Sequence, residues 1–221
     1  LLESLRQMDT LWMGGQAQQL LHLAQSIPQY SKAKTLLKLV EHLREKMIVF
    51  TEYRATQRHL VHLLRQEGVR VVDYHGGLTA EERERVLNEF AGPAQVLVST
   101  ECGGQGLNLQ FCHIIVNYDL PWNPMRVEQR IGRVHRIGQK KPVSIYNLYA
   151  RDTMEEHVLH LLDEKINLFR EVIGELDMII RHFEEKRSLE ARILEIAVTS
   201  SSSSEVESRL SDLGEKLLLL R

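Results

Sequence analysis

The chain has 221 residues, of which 43% are hydrophobic and 26% charged, with a formal net charge of -2. That suits one globular domain with attachments, and it excludes the uniformly basic surface of a protein that coats nucleic acid, so any contact with a polyanion is local. No apolar run approaches the roughly 20 residues that span a bilayer, and the opening LLESLRQMDT lacks the basic-then-apolar order of a secretory signal, so no membrane partner is expected.

Residues 1–27 and 32–45 read as helical, with Ser31 as a cap before KAKTLLKLVEHL, whose leucines recur on one face. Short β-branched runs then alternate with helical patterns. MIVF (47–50), VRVVDYH (69–75), VLVST (96–100), HIIVNYD (113–119) and VSIYNLYA (143–150) read as strands, and 54–67, 79–90 and 124–137 as helices. Gly68 is a helix stop, and Thr79 with Glu82 and Thr153 with Glu156 have capping-box spacing. The alternation predicts an α/β domain, a mostly parallel sheet with helices on both faces. Beyond Thr153 a long charged helix, MEEHVLHLLDEKINLFREVIG, and a second over 175–198 read as bracing helices. The polar run from Thr199 to Ser204 predicts a flexible linker, and SEVESRLSDLGEKLLLLR a short amphipathic helix in need of a partner surface. The expected organisation is a helical N-terminal extension (1–45), an α/β lobe (46–152), a helical brace (153–198) and a linker with tail helix (199–221). A first residue that is Leu rather than Met predicts a piece of a longer chain.

Cys102 and Cys112 lie beside or within predicted buried strands without Cys-x-x-Cys spacing, which predicts reduced core thiols rather than a disulfide or a zinc site. His59 with His62 and His157 with His160 stand three apart on predicted helices, but neither pair has a suitable third ligand nearby, so no metal site is expected.

The most specific signal is QRIGRVHRIGQ, from Gln129 to Gln139. Asn123 and Pro124 supply an N-cap and a first-turn residue, so this segment is predicted to ride on a helix. At roughly 100° per residue, Gln129, Arg133 and Arg136 fall within a stripe of roughly 60°, while Val127, Ile131 and Val134 point to the other side. One face packs and the other presents guanidinium groups. Their planar, permanently charged forks suit phosphate oxygens and the charge that develops in phosphoryl transfer. Upstream, VLVST runs into ECGGQGLNL, where Gly103, Gly104 and Gly106 let backbone approach a ligand and expose amide donors. The segments FTEYR (50–54) and HGGLT (75–79) follow the first two strands, at the carboxyl ends where open α/β sheets bind ligands.

QRIGRVHRIGQ, together with VLVSTECGGQGLNLQF (96–111) and VNYDLPWNP (116–124), resembles the second RecA-like lobe of the Swi/Snf-type ATPases. These are superfamily-two, helicase-related translocases on double-stranded DNA that remodel nucleoprotein complexes, and one bacterial branch recycles RNA polymerase. The resemblance covers roughly residues 31 to 173. It implies a RecA-like lobe using ATP with magnesium, in which Arg133 and Arg136 are arginine fingers and Gly106, Asn108 and Gln129 lie on the nucleotide side. It places Thr51, Tyr53, Gly76, Thr79, Thr100 and Trp122 towards DNA. For Thr79, helix capping competes with that role; for Trp122, partly buried packing does.

The chain contains no G-x-x-x-x-G-K-[ST] phosphate loop and no acidic Asp-Glu signature to hold magnesium. In the family both belong to the first lobe, so the resemblance implies that this chain does not hydrolyse ATP alone. The partners it implies are the N-terminal RecA-like lobe of the same protein, double-stranded DNA, and a protein target such as RNA polymerase or another nucleoprotein complex. The expected location is cytoplasmic or nucleoid-associated, or nuclear in a eukaryote. Two alternatives share these elements: a catalytically silent regulatory or protein-docking module, and an RNA-dependent helicase relative.

Overall fold

A computed structural model describes residues 31–100, 109–135, 139–169 and 188–218. Two compact units divide the chain, Leu1–Leu107 and Asn108–Arg221. The predicted helix over 1–27 and the 175–187 part of the one predicted over 175–198 lie outside the described residues, as do Cys102 and the glycines of ECGGQGLNL.

In the first unit, α1 (Ser31–Leu43) buries Ala33, Leu36 and Val40, three positions on one helical face. Strands β1 (Met47–Thr51) and β3 (Val96–Thr100) are buried at every residue. Their unbroken burial, without alternation, is what a covered parallel sheet requires. β1 pairs with β3 from Met47↔Val96 to Thr51↔Thr100, and β2 (Val71–Tyr74) pairs with β3 from Val71↔Val96 to Tyr74↔Ser99, both parallel. Helix α2 (Arg54–Gln66) stops where the sequence predicts. Gly68 takes φ 73°, its N–H donates to the Arg65 carbonyl at 3.0 Å, and the Val69 N–H donates to the Leu64 carbonyl at 2.9 Å. This is a Schellman closure, and it needs the left-handed conformation that glycine adopts without steric cost. Helix α3 (Ala80–Ala91) opens with the expected capping box on Thr79 and Glu82. Its other end is held by Lys46, whose Nζ donates to the carbonyls of Phe90, Gly92 and Ala94, each at 2.7 Å. A cation there satisfies carbonyls that the helix leaves open and meets the negative end of its dipole.

In the second unit, β4 (Ile114–Asn117) and β5 (Ser144–Asn147) pair in parallel, from Ile114↔Ser144 to Asn117↔Asn147. Within the first unit the strand order is β2-β3-β1, and within the second β4 lies beside β5, each pairing parallel. Among the described residues of this unit are the helices α4 (Pro124–Ile131), α5 (Met154–Phe169), α6 (Leu189–Thr199) and α7 (Ser203–Leu218). The tail helix has the partner surface its pattern demands, since Val206, Leu210 and Leu213 share a core with Val158, Leu161 and Ile193. The serine run differs from the flexible linker that its composition predicts. The Ser201 N–H and hydroxyl both donate to Glu205 Oε2, at 2.9 and 2.7 Å, and the Glu205 N–H donates to Ser202 Oγ at 3.2 Å. Serine hydroxyls thereby cap α7 and tighten the joint, a local hydrogen-bonding role that composition alone does not register. Cys112 is a buried free thiol, as expected.

Candidate functional site

In the first unit the strand carboxyl ends bring two of the candidate residues side by side. Thr51 and Thr100 are register partners, 0% and 3% exposed. Thr51 Oγ1 accepts the Tyr53 N–H at 3.4 Å, bending the chain into α2 and leaving the Tyr53 ring 61% exposed. Thr100 Oγ1 is buried and makes no hydrogen bond. A buried hydroxyl in that state costs about 1–3 kcal/mol, which a ligand oxygen or donor would recover.

The HGGLT loop is held by its own groups. The Gly77 N–H donates to His75 Nδ1 at 3.1 Å, and the Gly76 carbonyl accepts from Arg83 Nη2 at 3.0 Å. Burial, and then the nearby Arg54 charge, hold the His75 imidazole below its ordinary pKa, against Asp73, whose Oδ2 stands 3.9 Å from Nε2. Thr79 is a cap: its hydroxyl accepts the Glu82 N–H at 3.2 Å, and Glu82 Oε2 accepts the Thr79 N–H at 2.8 Å.

Gln57 belongs to this set, although the sequence reading assigns it no role. It is fully buried on α2, its Nε2 donating to the carbonyls of Tyr74 and Val98 at 2.8 and 2.7 Å, while Arg54 Nη1 donates to its Oε1. The signal is a polar residue on an apolar stripe, with Leu60, Val61 and Leu64 following at helical spacing.

In the second unit, α4 ends at Ile131, six residues before the predicted end. Gly132, a poor helix former, follows, and the backbone tightens: Arg133 N–H donates to Arg130 O at 3.2 Å, Val134 N–H to Ile131 O at 3.0 Å, and His135 N–H to Ile131 O at 2.8 Å. Arg133 therefore stands on a turn, and the predicted helical stripe of Gln129, Arg133 and Arg136 is corrected accordingly. Gln129 is exposed on α4, Arg133 is partly exposed, and Val127 and Val134 are buried as expected. The Arg133 carbonyl accepts the Leu109 N–H at 3.3 Å. Arg136, Gly106 and Asn108 lie outside the described residues. Trp122 is partly buried and packed against the core that includes Leu120, Val127, Val158 and Leu161.

Two residues of this segment with no role in the sequence reading are its fasteners. Arg130 is 3% exposed, and its Nη1 donates to Asn117 Oδ1 and to the Asp119 carbonyl, both at 2.8 Å. Asn117 Nδ2 passes the network to Asn147 Oδ1 at 2.8 Å. Arg130 shares the packing stripe of Val127, Ile131 and Val134, the same signal that marks Gln57. Gln139 Nε2 donates to the carbonyls of Gln110, Cys112 and Val134 at 3.0, 2.9 and 3.4 Å.

A parallel sheet with threonines and a glycine loop at strand carboxyl ends, and an arginine-bearing turn after α4, defines a RecA-like lobe of the helicase type. Residues 31–138 match the family model "Helicase conserved C-terminal domain". Over those residues the chain is similar to helicase C-terminal lobes. It is 45% identical over 187 residues to the uncharacterized ATP-dependent helicase YqhH of Bacillus subtilis, covering 85% of this chain and 33% of that protein. Over 146 residues it is 39% identical to the RNA polymerase-associated protein RapA of Vibrio campbellii, covering 64% and 15% respectively. The C-terminal part of the Fun30 ATPase domain superposes with a TM-score of 0.57 at 25% identity, over 61% of this chain and 46% of that one. The chain thus spans a third or less of the length of these two sequence relatives. Among the described residues no helix is long and apolar enough to cross a membrane.

Proposed function

We propose that the chain is the second motor lobe of a Swi/Snf-type, ATP-dependent double-stranded DNA translocase or remodeller. Arg133 and Arg136 act as arginine fingers on ATP held by the N-terminal RecA-like lobe of the same protein, with Gly106, Asn108 and Gln129 along the nucleotide edge. The observation that carries the reading is the turn after α4, where Arg133 is left partly accessible between the buried Arg130 and Val134. An arginine carried on an anchored turn is suited to charge that develops on a transferring phosphoryl group.

The DNA-facing set of this reading is Thr51, Tyr53, Gly76, Thr79, Thr100 and Trp122. The exposed Tyr53 ring supports direct contact, whereas Thr100 is buried and the hydroxyls of Thr51 and Thr79 already serve the backbone. Backbone contacts of this kind position a duplex without reading its sequence. Magnesium, which neutralises the β and γ phosphates when bound, is assigned to the N-terminal lobe; among the described residues no group of His, Cys, Asp and Glu is gathered to hold a metal ion. Hydrolysis accordingly requires both lobes, and their closing and reopening move the DNA contacts stepwise. The RapA likeness supports RNA polymerase, or another nucleoprotein complex, as the protein target, and a cytoplasmic or nucleoid-associated location.

Arg133→Ala and Arg136→Ala in the full-length enzyme are each expected to lower DNA-stimulated turnover by about 10³ to 10⁵. Unchanged rates refute the finger assignment. Mixing this chain with the N-terminal lobe should restore DNA-stimulated hydrolysis that neither part shows alone.

A further inference from the structure

We propose that Gln139 is a positioning residue that sets where Arg133 sits, by fastening the backbone of the arginine turn to the segment Leu109–Cys112. The inference rests on the motor reading above and names a residue to which that reading gives no part.

An amide Nε2 has two hydrogens, and here they serve three carbonyls. Gln110 and Cys112 take the shorter bonds at 3.0 and 2.9 Å, and Val134, the neighbour of Arg133, shares at 3.4 Å. The Leu109–Cys112 segment is itself closed by the Cys112 N–H donating to Leu109 O at 2.9 Å, and Leu109 is the residue whose N–H donates to the Arg133 carbonyl. The turn is therefore tied to one short piece of backbone twice, once through main chain and once through Gln139. The Gln139 Oε1 accepts the Lys141 N–H at 3.0 Å, which holds the amide in a single orientation. On the other side of Arg133, Arg130 ties the end of α4 to Asn117 and Asp119.

Arginine is long and has many rotamers, so the accuracy of its tip depends on how firmly its Cα is held. Placement within about half an ångström is what transition-state stabilisation demands, and a displacement of about 1 Å can cost on the order of 10²-fold in rate. Gln139 supplies that restraint from a partly exposed position, where its loss leaves the hydrophobic core intact.

The test uses the full-length enzyme. Gln139→Met keeps the length of the side chain and removes both donors. It is expected to lower kcat for DNA-stimulated ATP hydrolysis by about 10²-fold, with KM for ATP changed less than about threefold and the melting midpoint within about 3 °C of the wild type. Gln139→Glu, which turns a carboxylate towards three carbonyl oxygens, should lose at least as much turnover. On an Arg133→Ala background, Gln139→Met should add little further loss, because the residue it places is gone. Wild-type kcat in both Gln139 variants, or an undiminished second loss on the Arg133→Ala background, overturns the proposal. So does a Gln139→Met protein that fails to fold, since the residue is then scaffold. If Arg133→Ala itself retains wild-type turnover, the motor reading falls first; if Arg133→Ala is crippled and the Gln139 variants are not, only the positioning role falls.

Discussion

Each unit carries a buried polar residue on the apolar stripe of a helix, Gln57 on α2 and Arg130 on α4, and each carries one donor that gathers three backbone carbonyls, Lys46 and Gln139. The devices are alike but their targets differ. In the first unit they close regular structure: Lys46 ends α3, and Gln57 joins α2 to β2 and β3. In the second they hold irregular backbone around Arg133, where neither helix nor sheet supplies the restraint. The same hydrogen-bond chemistry therefore closes regular structure in one unit and, on the function proposed above, fixes the turn that carries Arg133 in the other. Variants in the first unit should move stability more than turnover, and those in the second the reverse.

The hardest test of that contrast is Arg130→Met. It removes charged hydrogen bonds to Asn117 and Asp119, leaves buried acceptors behind and should cost about 3 kcal/mol in denaturant unfolding. Turnover of the full-length enzyme, measured where the variant is folded, should fall by about 10²-fold as the base of the arginine turn shifts. A variant that loses stability and keeps full turnover would erase the distinction between the units. Lys46→Met is the counterpart. Losing three bonds from an ammonium at a helix end should cost about 2 kcal/mol, with kcat per folded molecule unchanged. Gly68→Ala comes next, at about 1 kcal/mol, because a side chain at φ 73° is strained although nothing crowds the position.

Much of this architecture was legible in the sequence, because strand and helix patterns are local. VLVST is a strand to the residue, and the stop at Gly68 and the box at Thr79 depend on chemistry within a few positions. The fasteners were less legible for the opposite reason. Lys46 reaches carbonyls 44 to 48 residues away, and Gln139 one 29 residues away, so no window reveals them. Gln57 and Arg130 did leave a trace, a polar residue where helical spacing asks for an apolar one. Helical spacing carried through Gly132 predicts too long an α4, because a weak helix former and i to i+3 bonds end the helix there.

Thr79→Ala separates two readings of one residue. Loss of the cap should cost about 1 kcal/mol. Bonds from Thr79 hold the Glu82 carboxyl below its ordinary pKa of 4.5, so the stability it contributes is present above that value and lost as pH falls below it. The variant keeps the backbone N–H that lowers the Glu82 pKa most and loses only the hydroxyl's share, so it should flatten that acid-side loss in part. DNA affinity that drops while the folded fraction is held constant would add a contact role to the cap; unchanged affinity would leave the cap as its whole function.

The smallest effect concerns His75. Burial, with Arg54 next, keeps its folded pKa below 6.5, so between the two values the unfolded chain binds more protons than the folded one. Stability is therefore fully present above pH 6.5 and declines as pH falls through the folded value. Protonation also places a hydrogen on Nδ1, the atom that accepts the Gly77 N–H, so the loop loses that bond as the charge appears. His75→Asn keeps an acceptor near the same place and cannot titrate. Its unfolding midpoint in urea, followed from pH 7.5 to 5.5, should fall less steeply than that of the wild type; parallel curves would mean that the imidazole charges in the folded loop as freely as in the unfolded chain.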